Sequence, residues 1–161
     1  MQGLTLSFRV YYMFAQLKDF FTSLHHTEQG NTTISTELAC AVLFCEVMRA
    51  DNHYSIEEQE KLTHLLQNQF SLTNTEVADI IEQAIQLSEN ANDFFQFTSQ
   101  LNQHLSLDER IHIVSLLWQI AYADGELASI EEHIIRRIAD LLHLRHSEYI
   151  ATKIQAQNNQ Q

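Results

Sequence analysis

The chain contains the same helix–hinge–helix unit twice. Ala50-Asp51-Asn52, followed by Ser55-Ile56-Glu57-Glu58, returns as Ala123-Asp124-Gly125, followed by Ser129-Ile130-Glu131-Glu132. The apolar run before each hinge repeats as well: Leu43-Phe44-Cys45-Glu46-Val47-Met48 lines up with Leu116-Leu117-Trp118-Gln119-Ile120-Ala121. Internal repetition of this kind constrains architecture before any residue has a role, because each unit must bury its apolar face against the other. The repeat halves span about 34–90 and 107–157.

The residues between the hinges are helix formers. The chain holds no Pro and three Gly in 161 residues, and 45% of it is apolar, enough for one continuous core. Four segments carry the pattern in which a Ser or Thr hydroxyl accepts from the third helical N–H and the acid at that position reaches back. These are Ser55-Ile56-Glu57-Glu58, Thr73-Asn74-Thr75-Glu76, Ser106-Leu107-Asp108-Glu109 and Ser129-Ile130-Glu131-Glu132. Apolar residues at spacings of three and four come after each of them. The fold class is therefore all-α, with an internal repeat. Helices are expected over about 13–26, 34–51, 56–70, 74–90, 93–103, 107–124, 130–143 and 146–157. Two stripes form the expected centre: Leu38, Ala41, Phe44, Cys45 and Met48 in the first unit, and Ile111, Val114, Leu117, Trp118 and Ala121 in the second.

The amino end is apolar from Leu4 to Phe21, but Arg9, Gln16, Lys18 and Asp19 interrupt it, so it is too polar to span a bilayer. It lacks the basic start and small-residue cleavage site of a signal peptide. Residues 1–12 are read as an upstream extension, and 13–157 as a single helical domain.

A formal net charge of −12 disfavours nucleic acid and anionic membranes, and favours divalent cations or basic protein surfaces. Cys40 and Cys45, five residues apart on one helix, diverge by roughly 140° and cannot bridge. Buried, reduced thiols fit a cytoplasmic protein and make a poor site for a soft metal or metalloid.

Asp51 and Asp124 place a carboxylate at the negative end of a helix, which costs about 0.3–1 kcal/mol. Two explanations compete. In one, the aspartates accept from N–H groups of their own turn. In the other, they join nearby glutamates around a cation. Asp124, Glu126, Glu131 and Glu132 offer four carboxylates within nine residues, an oxygen set suited to Ca²⁺ or Mg²⁺. Asp51, Glu57 and Glu58 form a poorer counterpart, with His53 where the second unit has Glu126. An EF-hand is excluded, because the positions that need Gly and Glu hold Ser129 and Ile135. Capping already accounts for Glu58 and Glu132, and the helix dipole for Glu57 and Glu131.

Glu109-Arg110-Ile111-His112 and Asp140-Leu141-Leu142-His143 have the spacing of di-iron helical bundles, but no further pair of bridging glutamates accompanies them. His143 and His146 flank a helix break as caps or surface residues. No nucleophile elbow and no Gly-rich phosphate loop can be drawn from the chain. An enzyme is not favoured.

At the second hinge the pattern matches a known group. Leu117-Trp118-Gln119-Ile120-Ala121-Tyr122-Ala123-Asp124-Gly125-Glu126-Leu127, then Glu131-Glu132-His133-Ile134-Ile135-Arg136-Arg137-Ile138-Ala139-Asp140-Leu141-Leu142, resembles the TerB-like (tellurite-resistance TerB) family, in its branch of small bacterial proteins. Met48-Arg49-Ala50-Asp51 with Glu57-Glu58, and Phe95-Gln96-Phe97-Thr98 with Leu101-Asn102, fit the same branch. The resemblance covers about residues 13–154. It implies a compact bundle of seven to eight helices with an internal pseudo-twofold repeat, a metal-binding role for acidic turn residues, and a place in bacterial stress-response or metal-sensing assemblies. By position that role falls on Asp51, Glu57, Glu58, Asp124, Glu131 and Glu132; Asn52 and His53 depart from the Gly-plus-acid form of the turn. The expected activity is weak divalent-cation binding at the acidic turns, coupled to recognition of a basic protein. A metal-free interaction scaffold is the alternative, and a di-iron enzyme a second.

Overall fold

The computed structural model describes residues 34–50, 55–91, 93–123 and 125–160. The helix expected over 13–26 and the extension at 1–12 lie outside the described residues. Among the described residues seven helices run in order: α1 Thr36–Arg49, α2 Ile56–Phe70, α3 Asn74–Asn90, α4 Phe95–His104, α5 Leu107–Ala121, α6 Ser129–Leu141 and α7 His146–Asn159. Among the described residues there is no strand, and the chain is all-α.

Local chemistry sets most of the starts. Thr73 and Ser106 make the full reciprocal cap: Glu76 N–H donates to Thr73 Oγ1 at 3.2 Å while Thr73 N–H donates to Glu76 at 3.1 Å. The Ser106–Glu109 pair does the same at 3.3 and 2.8 Å. At Ser55 the hydroxyl accepts from Glu58 N–H at 3.1 Å. The fourth expected cap is displaced by one residue. Ser129 is already helical, Ala128 is the N-cap, and Glu131 rather than Glu132 reaches back, accepting from Ala128 N–H at 3.2 Å. A methyl side chain cannot cap, so here the glutamate supplies that function alone.

α1 and α5 form the centre. α1 touches α2, α3, α4, α5 and α6. It is buried nearly all round: Ala39, Val42, Leu43 and Val47 are as enclosed as the expected Ala41, Phe44, Cys45 and Met48, whereas Leu38 is half-buried. A helix this apolar is stable only when neighbours cover most of its surface. α5 packs on α1, α2, α6 and α7 and buries Val114, Leu117, Trp118 and Ala121 of its stripe, with Ile111 half-buried.

Trp118 fills the place that Cys45 holds in the first unit, and α7 accommodates its extra volume. The indole lies 5.6 Å from the Tyr149 ring, centroid to centroid, and donates its N–H to Thr152 Oγ1 at 3.1 Å. Thr152 passes the bond on to the Tyr149 carbonyl at 2.6 Å. Both thiols are free and buried in the core.

His143, at φ 62°, takes the left-handed conformation that ends α6, and Leu144 N–H returns to Ala139 O at 3.0 Å. Asn102 donates to Leu141 O at 2.9 Å and Arg110 to Leu142 O at 2.5 Å, so side chains of α4 and α5 satisfy the last carbonyls of α6. Among the described residues no helix is long and apolar enough to cross a membrane.

Candidate functional site

The hinge after α5 is closed by backbone hydrogen bonds. After α5, Tyr122 N–H still bonds to Trp118 O at 3.0 Å, and Gly125 N–H closes the turn on Tyr122 O at 2.9 Å. Gly125 sits at φ +85°, a conformation that residues with a Cβ rarely adopt, which explains the glycine. Asp124 lies outside the described residues. In the first unit α1 ends at Arg49, and the hinge residues Asp51, Asn52, His53 and Tyr54 also lie outside them.

The helix starts after the two hinges are closely matched. Glu58 is the third residue of α2 and Glu131 the third of α6, and each is 1% exposed. Counted from the hinge aspartates, both glutamates come seven residues later. The structural partner of Glu58 is thus Glu131, whereas matching the repeated Ser-Ile-Glu-Glu strings pairs Glu58 with Glu132. Burying a carboxylate is costly. At Glu131 the offset includes the Ala128 N–H and the positive end of α6.

The other acids of the expected site go elsewhere. Glu132 forms an ion pair with Lys153 of α7, whose ammonium also lies 5.9 Å from the Trp118 ring centroid. That hydrogen bond holds the Lys153 ammonium above its ordinary pKa. Glu57 and Glu126 are exposed. Glu131 and Glu132 therefore leave α6 in different directions, Glu131 back to the Ala128 N–H and Glu132 toward α7. Among the described residues no three His, Cys, Asp or Glu side chains gather closely enough to hold a metal ion. Glu109 is held in its cap, and His112 faces Gln69 Oε1 at 3.1 Å, so these two and the Asp140–His143 pair do not assemble a di-iron centre. His143 and His146 are exposed at the break between α6 and α7.

Two perturbed groups stand apart from the hinges. Burial, with Glu76 nearby, raises the Glu37 carboxyl to about 7. Burial pushes the Cys45 thiol up to about 12 and Cys40 higher still, so neither ionises near neutrality. The burial of Glu37 is not evident from sequence. It sits at the second position of α1, where an acid normally reads as a solvated helix-dipole partner.

An all-helical bundle centred on two long apolar helices, each followed by an acidic hinge and a buried glutamate, defines a duplicated helix–hinge–helix domain. The family model described as Tellurite resistance protein TerB matches residues 37–154, and the chain belongs to that family. Neither a curated protein nor a solved structure matches the chain.

Proposed function

We propose that this TerB domain is a non-catalytic binding module that takes up a divalent cation weakly at its acidic hinges and couples that to recognition of a basic protein partner. The observation that carries the reading is the equivalence of Glu58 and Glu131: a buried carboxylate at the same helical position, seven residues after an aspartate, in both units. A cation held by Asp124 and Glu131, with exposed Glu126 at the rim, would offset the burial of Glu131. Asp51, Glu58 and Glu57 would form the weaker counterpart. Oxygen donors of this kind select Ca²⁺ or Mg²⁺ over softer metals. Two thiols buried as neutral groups support a binding role over thiol chemistry and fit a cytoplasmic, reducing setting. Family membership supports a place in a bacterial stress or metal response.

Calorimetric titration of the full chain with Ca²⁺, Mg²⁺ and Mn²⁺ tests the cation step. The expected dissociation constant is about 10⁻⁴–10⁻³ M. Asp124→Asn and Glu131→Gln should each weaken binding by roughly tenfold or more. Absence of heat, or unchanged binding by both variants, would reject it. A metal-free scaffold is the second reading, favoured by the Lys153–Glu132 pair, which removes one carboxylate from the hinge set.

A further inference from the structure

A groove of about 510 Å³ opens between the first turns of α2, the end of α5 and the end of α7. Glu57, Glu60 and His64 line it from one face of α2, at helical spacings of three and four. Tyr122 lines it from the end of α5, and Asn159 and Gln160 line it from the end of α7. Lys61 is the only fully charged cation among the described lining residues. Tyr122 is itself buried, its ring packed 6.2 Å from that of Trp118. The side chains do not converge as metal ligands. The volume lies within the roughly 300–1,000 Å³ of small-ligand sites and far exceeds what a bare ion requires.

We infer that this groove receives an arginine or lysine side chain from a basic segment of a partner protein. The inference deepens the protein-recognition half of the proposed function and rests on it. Charge complementarity supports this occupant: Glu57 and Glu60 place two carboxylates along the groove, in a chain whose formal charge is −12. A guanidinium suits the site best, because its planar donors match carboxylates. The groove also borders both hinges along the chain: Glu57 comes soon after the first, and Ala123, at its edge, immediately precedes Asp124. A partner seated there would contact the elements that carry the acidic turns.

The test is fluorescence anisotropy of a labelled oligo-arginine peptide with the full chain in EDTA, beside a citrulline peptide of the same length. The arginine peptide should bind saturably and the citrulline peptide should not. Glu60→Lys should weaken binding by roughly tenfold, while Glu82→Lys, the same charge change at an exposed position of α3, should weaken it by less than about threefold. Non-saturable binding, or equal losses in the two variants, overturns the inference by reducing the effect to net charge. Both positions are exposed, so both variants should fold, which circular dichroism verifies. EDTA removes divalent ions and the hinge acids stay intact, so failure here leaves the cation site standing, and failure of the cation titration leaves the groove standing.

Discussion

Glu58 and Glu131 occupy the same place in two halves of one chain, each the third residue of the helix after a hinge and each 1% exposed. Glu131 and its chain neighbour Glu132 consequently have different work to do. Glu131 caps α6 from within; Glu132 reaches across to Lys153 at a partly exposed surface. Glu131→Ala should cost about 2 kcal/mol by loss of a buried cap and its packing, and Glu132→Ala about 0.5 kcal/mol. Urea unfolding of the two variants measures the difference. Equal costs would contradict the register in which Glu131, and not Glu132, is the equivalent of Glu58.

Stability should depend on pH through Glu37. Burial and the nearby Glu76 raise its folded pKa from 4.5 to about 7. The neutral form is the one the fold favours, so the contribution is fully present below pH 4.5 and is lost as pH rises through about 7. Glu37→Gln, which stays neutral, should stabilise the protein by roughly 1–2 kcal/mol at pH 8 relative to its effect at pH 5. Thermal melts at the two pH values provide the comparison, and a pH-independent difference would show that Glu37 ionises normally.

The Trp118–Thr152 bond ties α5 to α7 in a site where water has no access. Thr152→Val keeps the shape and removes the acceptor, leaving the indole N–H buried without it. The expected loss is about 1–3 kcal/mol, with Thr152→Ser near wild type. Trp118 is the chain's single tryptophan, so its fluorescence reports the change directly.

Cys40 and Cys45 should resist an aromatic disulfide reagent in the folded protein and react fully in denaturant, because burial keeps both thiols protonated. Rapid labelling of either under native conditions would place that thiol at the surface.

Much of this architecture is legible in the amino acids. Capping residues at Ser55, Thr73 and Ser106 mark helix starts that the structure places at Ile56, Asn74 and Leu107, because a cap is local chemistry and needs no tertiary context. The register of the second hinge is harder to read. The repeated letters Ser-Ile-Glu-Glu invite an alignment with one extra residue in the turn, yet burial tracks distance from the hinge aspartate, which is seven residues for both Glu58 and Glu131. An ungapped count from Asp51 and Asp124 contains that signal. Two features needed the fold itself. α1 is enclosed nearly all round because five other helices pack on it. Glu37 is buried because α1 brings it near the start of α3, where Glu76 stands.

The most direct test of the cation reading is localisation of the ion. Adding Mn²⁺ stepwise to ¹⁵N-labelled protein broadens amide signals within reach of the bound metal. The account predicts early, selective loss at Gly125 and from Ala128 to Glu131, later loss from Ser55 to Glu58, and no selective loss near Asp124 in the Asp124→Asn variant. Uniform broadening over the acidic surface, or selective loss away from both hinges, would contradict it.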